Sequence, residues 1–475
     1  MTVPRRDVQQ RGARRPSPTG TGGITRRVPD PAHSETTRQL VHIAMGAFAL
    51  LLRWIAWWQA LALAAAAVLF NVFALPRLVR RLYRPGDTAR VVHGIVLYPA
   101  SVLLLIAAFP RRPDVVAAAW GILALGDGSA TLVGRALDGR RWPWNRDKTI
   151  RGSAAFVALG GAAGVALAWW CRDAAPPTPS WPQIAAAVVV AAIVAAAVET
   201  IPVRLDDNLS VAIAAGGVLW IALLVDPEAA RTWWAAREPP LAAAVLTNIV
   251  TAWAGYQART VSVSGAVAGA VIGIIIFTAA GWQGWVLLLA AFLAASATSR
   301  VGLRRKAVLG IAEGRGGRRG AGNAIANTGV AAIAAAVSVG GGDPLLARVA
   351  FAASLVAGGS DTIASEIGKA WGRRTWSITT LGRVPPGTSG AMSFEGTAAG
   401  LVGAFALAAL AIAVGIVPAA ALVPIVAAAT IGALVESWLG ATLEGPGILN
   451  NDMLNFINTA AAAACASIIV RWTTA

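Results

Sequence analysis

Gly126-Asp127-Gly128-Ser129-Ala130-Thr131-Leu132-Val133-Gly134-Arg135 closes an apolar run and leads into the basic stretch from Arg140 to Thr149, which holds Lys148. An acid, a cation and several glycines at the mouth of an apolar helix have the makings of a phosphate-binding loop: glycine exposes backbone amides, and the cation balances phosphate charge. An altered copy recurs at Ser360-Asp361-Thr362-Ile363-Ala364-Ser365-Glu366-Ile367-Gly368-Lys369, followed by Arg373-Arg374-Thr375-Trp376. In both, an Ala stands three residues after the Asp and a Gly seven after. Lys148 follows Asp127 by 21 residues and Arg383 follows Asp361 by 22, each ahead of a Gly-Ser or Gly-Thr pair. Glu199 and Glu436 lie 72 and 75 residues after the respective Asp, and each precedes an amide-and-acid cluster, Asp206-Asp207-Asn208 or Asn450-Asn451-Asp452. The chain reads as one site design carried twice, the product of a duplication.

Carboxylates at the water interface of a membrane helix are costly unless they pair with or bind a cation. Asp127, Glu199, Asp206 and Asp207 suit Mg²⁺, which takes a few carboxylates and otherwise substrate phosphate oxygens. Lys148, Arg135 and the glycines Gly126, Gly128 and Gly134 then face the phosphates, and Asp127 or Glu199 orients an attacking hydroxyl. In the second half Asp361, Glu366, Glu395 and Asp452 are the matching metal candidates, Asp361 and Glu436 the catalytic ones. A richer loop precedes them, with Ser299-Arg300, Arg304-Arg305-Lys306, Glu313 to Gly320 holding Arg315, Arg318 and Arg319, then Asn323 and Asn327. Arginine beside glycine suits a substrate already carrying phosphate, and Arg300, Lys306, Arg383 and the three loop arginines are its candidate holders. No Gly-Lys-Ser/Thr stands at P-loop spacing. Arg140, Arg141 and Arg146 read as topology anchors, and Gly265, Gly269 and Gly273 as a helix-packing face.

These residues need elements to hold them, and composition says which. Of 475 residues 56% are hydrophobic and 13% charged, with mean hydropathy +0.63, far from the balance of a soluble domain. The runs are long rather than short and alternating, so the expected fold is an all-α polytopic membrane protein with about 14–15 transmembrane helices in two homologous halves. The net charge of +17 sits in short loops between apolar runs, a topology signal rather than a nucleic-acid one. Tryptophans at span ends, such as Trp54, Trp57, Trp169 and Trp233, fit interfacial belts. Two cysteines, Cys171 and Cys465, provide neither a disulfide framework nor a zinc site, and the three histidines do not cluster. The expected organisation is a disordered basic tail over 1–38, a membrane domain over 39–226, a connection over 227–239 and a second membrane domain over 240–475. Arg77 to Arg84 reads as an interfacial helix. With the tail in the cytoplasm, counting crossings puts every motif loop on that same side.

At these residues the chain becomes recognisable. Its first half resembles the phytol kinase and dolichol kinase group of membrane prenol kinases through Arg38, His42 and Gly46, His93-Gly94-Ile95-Val96-Leu97-Tyr98-Pro99, Gly126-Asp127 with Ala130 and Gly134, Lys148 with Gly152, and Glu199 with Asp206-Asp207-Asn208; Gln39 departs where a basic residue is expected. The second half is similar to the phytyl-phosphate kinase family, long catalogued as a membrane domain of unknown function. Ser299-Arg300, Arg304-Arg305-Lys306, Glu313 to Gly320, Asn323, Asn327, Asp361-Thr362, Ser365 to Gly368, Pro385 to Thr388, Glu395-Gly396-Thr397 and Asn451-Asp452 with Asn455 carry that likeness. Glu436-Ser437 replaces the Asp-Ser expected there. The resemblance implies that the first half phosphorylates a long isoprenoid alcohol, such as phytol or geranylgeraniol, from CTP or ATP with Mg²⁺. The second half would carry the prenyl phosphate to the diphosphate, in a bacterial cell membrane and with no nucleic-acid partner. Two other readings stand beside it: a two-repeat transporter, kept alive by Glu199 and Glu436, and an enzyme related to lipid cytidylyltransferases, whose C-terminal Lys-Asp and His-Gly-Gly signature is missing here.

Overall fold

The computed structural model describes residues 31–78, 89–137, 139–202, 204–236, 240–310, 318–340 and 343–474. Residues 1–30, most of the Arg77–Arg84 stretch, the connection at 237–239 and the segment holding Glu313 and Arg315 lie outside the described residues. The described residues are helical almost throughout, since a backbone in hydrocarbon must satisfy its own hydrogen bonds.

The first half builds α1 (Pro31–Met45), extended as a 3₁₀ turn over Gly46–Arg53, α2 (Trp57–Leu69), α3 (Ala89–Ala108), α4 (Pro113–Ala136), α5 (Ile150–Ala174), α6 (Trp181–Glu199), α7 (Asp207–Leu223) and the short α8 (Pro227–Ala236). The second half builds α9 (Pro240–Gln257), α10 (Val263–Arg300), α11 (Leu303–Val308), α12 (Ala321–Val339), α13 (Pro344–Trp371), α14 (Phe394–Ala413), α15 (Leu422–Leu439) and α16 (Asn451–Thr474). A two-stranded antiparallel hairpin, β1 (Thr375–Ser377) with β2 (Ala391–Ser393), joins α13 to α14. Helix α1 begins inside the stretch read as an irregular tail up to residue 38.

Among the described residues nine helices are long and apolar enough to cross a membrane, or ten if the bent pair Asp207–Leu223 and Pro227–Ala236 is one span, against the 14–15 expected. Part of the shortfall is α10, whose 38 residues count once. At 1.5 Å per residue it would run about 57 Å, nearly twice a hydrocarbon core of about 30 Å. Gly281, at φ 71 and ψ −172, breaks it instead. The second arm folds back beside the first, so that Asn248 of α9 meets Gly273 on one arm and accepts a hydrogen bond from Trp285 Nε1 on the other, at 3.1 Å. Another part is α13, which carries Arg348, Asp361, Glu366 and Lys369 along its 28 residues. Gly265 and Gly273 do serve close packing, the first against the Arg319 carbonyl, whereas Gly269 meets nothing within 4 Å.

The described residues form two separate buried cores, one from Ala49 to Leu219 and one from Ile272 to Val470. The same pairs of helices pack in each half: α4 on α5, α6 on α7 and α3 on α7 in the first, α13 on α14, α15 on α16 and α12 on α16 in the second. The halves touch at both ends, where Arg204 donates to the Pro446 carbonyl at 3.0 Å and where Asp226 N–H donates to the Gly340 carbonyl at 2.9 Å.

Candidate active site

In α4 the expected glycine-rich loop is absent. Ile122–Asp127 makes a π-turn and runs directly into helical Gly128–Ala136, so the amides of Gly126 and Gly128 belong to the helix rather than to a phosphate. The glycines do steric work. A Cβ on Gly126 would stand 2.9 Å from the buried ring of Phe156, and one on Gly134 2.9 Å from Thr149 Oγ1. A π-turn widens a helix and is found at functional sites, and here Asp127 closes it.

Around Asp127 the acids assemble as the spacing suggested. Oxygens of Asp127, Glu199 and Asp207 lie within 4.8 Å of one another. Lys148 Nζ sits 2.6 Å from Glu199 Oε1 and 2.7 Å from Asp207 Oδ2. Glu199 is 3% exposed and ends α6, while Asp206 caps α7 by accepting from Asn208 N–H. Asp206 also accepts from the Asn208 amide at 2.8 Å, and so stands beside the three-carboxyl group rather than in it. The loop that presents Lys148 is pinned onto the end of α6: Asn145 Nδ2 donates to the Thr200 carbonyl, Trp144 Nε1 to Thr200 Oγ1, and Trp142, stacked on Trp144, to Ser153 Oγ. Burial alone would push the Lys148 pKa down, but the carboxylates of Asp207 and Glu199 outweigh it and the net shift is upward. Arg135 is exposed on the rim.

Three side chains that motif reading did not place in a role complete this end. His42 Nε2 lies 3.8 Å from Asp127 Oδ2 and 3.3 Å from the Leu123 carbonyl. Its ring packs edge-on against Tyr98, whose hydroxyl accepts from Trp120 Nε1 at 2.8 Å and donates to the His42 carbonyl. Trp120 carried no signal beyond an aromatic in an apolar run.

The acids and Lys148 form one end of a cavity of about 1640 Å³. Its other walls are apolar, including Met45, Leu52, Ala60, Ala64, Val102 and Ile106. Single-ligand pockets occupy roughly 300–1,000 Å³, so this space exceeds what one ligand of ordinary size needs.

The second half concentrates cations instead. Gly302, at φ 66, reverses the chain after α10, and Lys306 reaches back to donate to the Ser299 carbonyl at 2.7 Å and to the Glu366 carboxylate. Lys369 approaches the other Glu366 oxygen at 3.3 Å. Glu366, expected as a metal ligand, is thus held between two ammonium groups. Arg319 donates to Ser299 Oγ and the Ala295 carbonyl, and Arg300 to the Ala258 carbonyl. Asp361 and Glu436 interact electrostatically with each other and with Lys369, and Glu436 accepts from Asn458 Nδ2 at 2.8 Å. Glu395 instead accepts from Arg373 N–H, Asp452 packs against Gly322, and Arg318 and Arg383 are exposed. The expected metal set Asp361, Glu366, Glu395 and Asp452 is therefore dispersed, and among the described residues only the first half gathers three carboxyl groups. Asn327 donates to the Asn323 carbonyl and leaves its own Oδ1 buried without a partner. Among the described residues Lys369, not Arg383, is the cation near the second acid pair.

Residues 246–463 match the family described as integral membrane protein DUF92. An uncharacterised membrane protein of Synechocystis is 42% identical over 199 residues, 41% of this chain and 77% of that one. Protein VTE6 of Arabidopsis thaliana chloroplasts is 35% identical over 264 residues, 54% of this chain and 77% of that one. A probable chloroplastic phytol kinase of Glycine max is 33% identical over 135 residues, covering 28% and 42%. No solved structure matches.

Proposed function

This chain belongs to the DUF92 family of integral membrane proteins, and from that premise we propose that it is a membrane phosphotransferase acting on isoprenoid lipids in two steps. The first half transfers a phosphoryl group from a nucleoside triphosphate, CTP by preference, to a prenol such as phytol or geranylgeraniol. The second half adds a second phosphate to the product. The observation that carries the reading is the first-half cavity, which joins a carboxyl-and-ammonium end to an apolar cleft within one space. Kinship with proteins named phytol kinase supports the reaction class.

In the first site Asp127, Glu199 and Asp207 would hold Mg²⁺, since their oxygens lie close enough together for one small ion that prefers carboxylates and phosphates. Bound there, the ion would draw charge off the transferring phosphate. Lys148 balances Glu199 and Asp207 and turns its remaining donor capacity to phosphate. The His42 ring, fixed by Tyr98 and Trp120, bounds the place where the alcohol oxygen meets Asp127. Little covalent chemistry is asked of the protein, because phosphoryl transfer is driven by positioning and charge. In the second site Lys306, Lys369 and Arg319 supply positive charge for a lipid that already carries phosphate. A bacterial cell membrane with both sites facing the cytosol, where nucleotides are, completes the proposal.

The test uses membranes containing the full chain, γ-labelled CTP or ATP, and phytol or geranylgeraniol, with lipid mono- and diphosphate resolved. Asp127→Asn is expected to make diphosphate only when supplied with monophosphate, and Asp361→Asn to accumulate monophosphate. Absence of labelled lipid from the wild type with either donor would refute the kinase reading.

A further inference from the structure

We propose that the apolar part of the first-half cavity measures the alcohol's tail, accepting three to four isoprene units, with Ala60, Ala64 and Ala67 of α2 as the graduations. The inference rests on the prenol-kinase reading of the same site and adds the residues that set the substrate's length.

Three walls line this cleft, which is open beside Phe48, Leu51, Leu63 and Phe70, each more than 40% exposed. Its polar end is fixed where Gly94 of α3 approaches the side chains of Asp206 and Asn208, and where Asn71 donates to the Ile95 carbonyl at 2.8 Å. Along α3 the lining then runs through Tyr98 and Val102 to Ile106. From Gly94 to Ile106 is twelve residues, about 18 Å of helix. The opposite wall, α2, runs antiparallel from Ala60 to Asn71, eleven residues and about 16 Å. The third is α1 and its 3₁₀ extension, lining from His42 to Ile55. At the far end Leu52, Ala60 and Ile106 are each at most 6% exposed.

A stretched hydrocarbon with bonds of about 1.5 Å advances roughly 1.3 Å per carbon, so 16–18 Å takes about 13 main-chain carbons. An isoprene unit contributes four, which places the fit at three to four units. The alanines are one helical turn apart, in the i, i+4, i+7 pattern of a single face, and that turn of about 5.4 Å nearly equals one isoprene unit. A stripe of alanines is ordinary helix packing in most membrane proteins. Here the cavity runs along it and is continuous with the acids and Lys148.

The experiment reads binding of tritiated prenols of 10, 15 and 20 carbons, and of a polyprenol of about ten units, to the detergent-solubilised full chain, with turnover measured separately. Wild-type affinity should rise up to 15–20 carbons and gain nothing beyond. Ala60→Leu should weaken the 20-carbon alcohol about tenfold or more while leaving the 10-carbon one within about twofold, and Ala64→Leu should extend the loss to 15 carbons. The 10-carbon alcohol thereby controls for folding, and Val102→Phe, projecting from the facing wall, repeats the test independently. Equal losses at all lengths in both walls, no losses, or tightest binding of the polyprenol would overturn the inference. Length-dependent binding without turnover would leave the ruler standing and remove the kinase reading instead.

Discussion

Lys148 is where the first site's electrostatics are most exposed to a test. Its ammonium is the partner of Glu199, which is 3% exposed, and of Asp207, which is 40% exposed. Replacing it by Met keeps much of the side chain's volume and removes the charge. Stranding one member of a buried ion pair costs about 3–5 kcal/mol, and the more exposed Asp207 contact adds only about 0–1 kcal/mol. Against a typical net stability of roughly 5–15 kcal/mol the loss is large. Phosphoryl transfer in the first half should fall at the same time, by about 10²–10³ if the ammonium stabilises charge in the transition state as a preorganised donor does. The double variant Lys148→Met/Glu199→Gln separates the two effects, because it leaves no uncompensated buried charge. Thermal unfolding of detergent-solubilised protein should show most of the lost stability restored in the double variant, while monophosphate formation stays depressed. If Lys148→Met is as stable as wild type, or if Glu199→Gln fails to rescue it, the pairing does not hold the site together.

The same lysine sets a pH dependence. Its pKa is raised, so its stabilising contribution is complete below the ordinary value of 10.5 and disappears as pH climbs through the higher folded value; wild-type stability should therefore fall as pH rises above about 10.5, a fall that Lys148→Met should lack, as read by thermal melts across pH. Gly126→Ala should destabilise by about 1–3 kcal/mol through overpacking on Phe156, with Phe156→Leu restoring part of it, whereas a nucleotide-loop role would raise the KM for nucleotide and leave the melt unchanged. Lys306→Met should lower diphosphate formation from supplied monophosphate while sparing the alcohol step, and its melting temperature should drop less than that of Lys148→Met because Lys369 still neutralises Glu366.

Helical class followed directly from the apolar runs and their breaks, because hydrocarbon permits few alternatives to a helix. So did the meeting of Asp127, Glu199, Asp207 and Lys148, since acids at helix ends in a membrane need a cation and the segments carrying them recur together. The π-turn at Asp127 was not legible: a short run of Gly, Ala, Ser and Thr reads as a loop from composition, yet small residues equally allow two helices to approach, and Phe156 packed on Gly126 decides between them. Arg383 was paired with Lys148 by spacing, but spacing carries no direction. The hairpin of β1 and β2 turns Arg383 outward, and Lys369, one turn from Glu366 on the same helix, supplies the nearby charge.

On the proposed two-step reading, the departure of the second half from the first has a chemical reason. In the first site Glu199 and Asp207 share the ammonium of Lys148, with Asp127 beside them; in the second Glu366 sits between the ammonium groups of Lys306 and Lys369, and Asp361 and Glu436 lie near Lys369. A neutral alcohol brings no charge of its own, so a site for it and a metal-bound triphosphate can be rich in carboxylates that hold the metal. A lipid phosphate brings about two negative charges to the same place at neutral pH. An acid-rich copy would repel it, and at an effective dielectric of about 20 two unit charges 4 Å apart already cost about 4 kcal/mol. On the proposed two-step reading, two ammonium groups on one buried carboxylate in the second half, where the first gathers three carboxyls, suit a lipid that already carries phosphate.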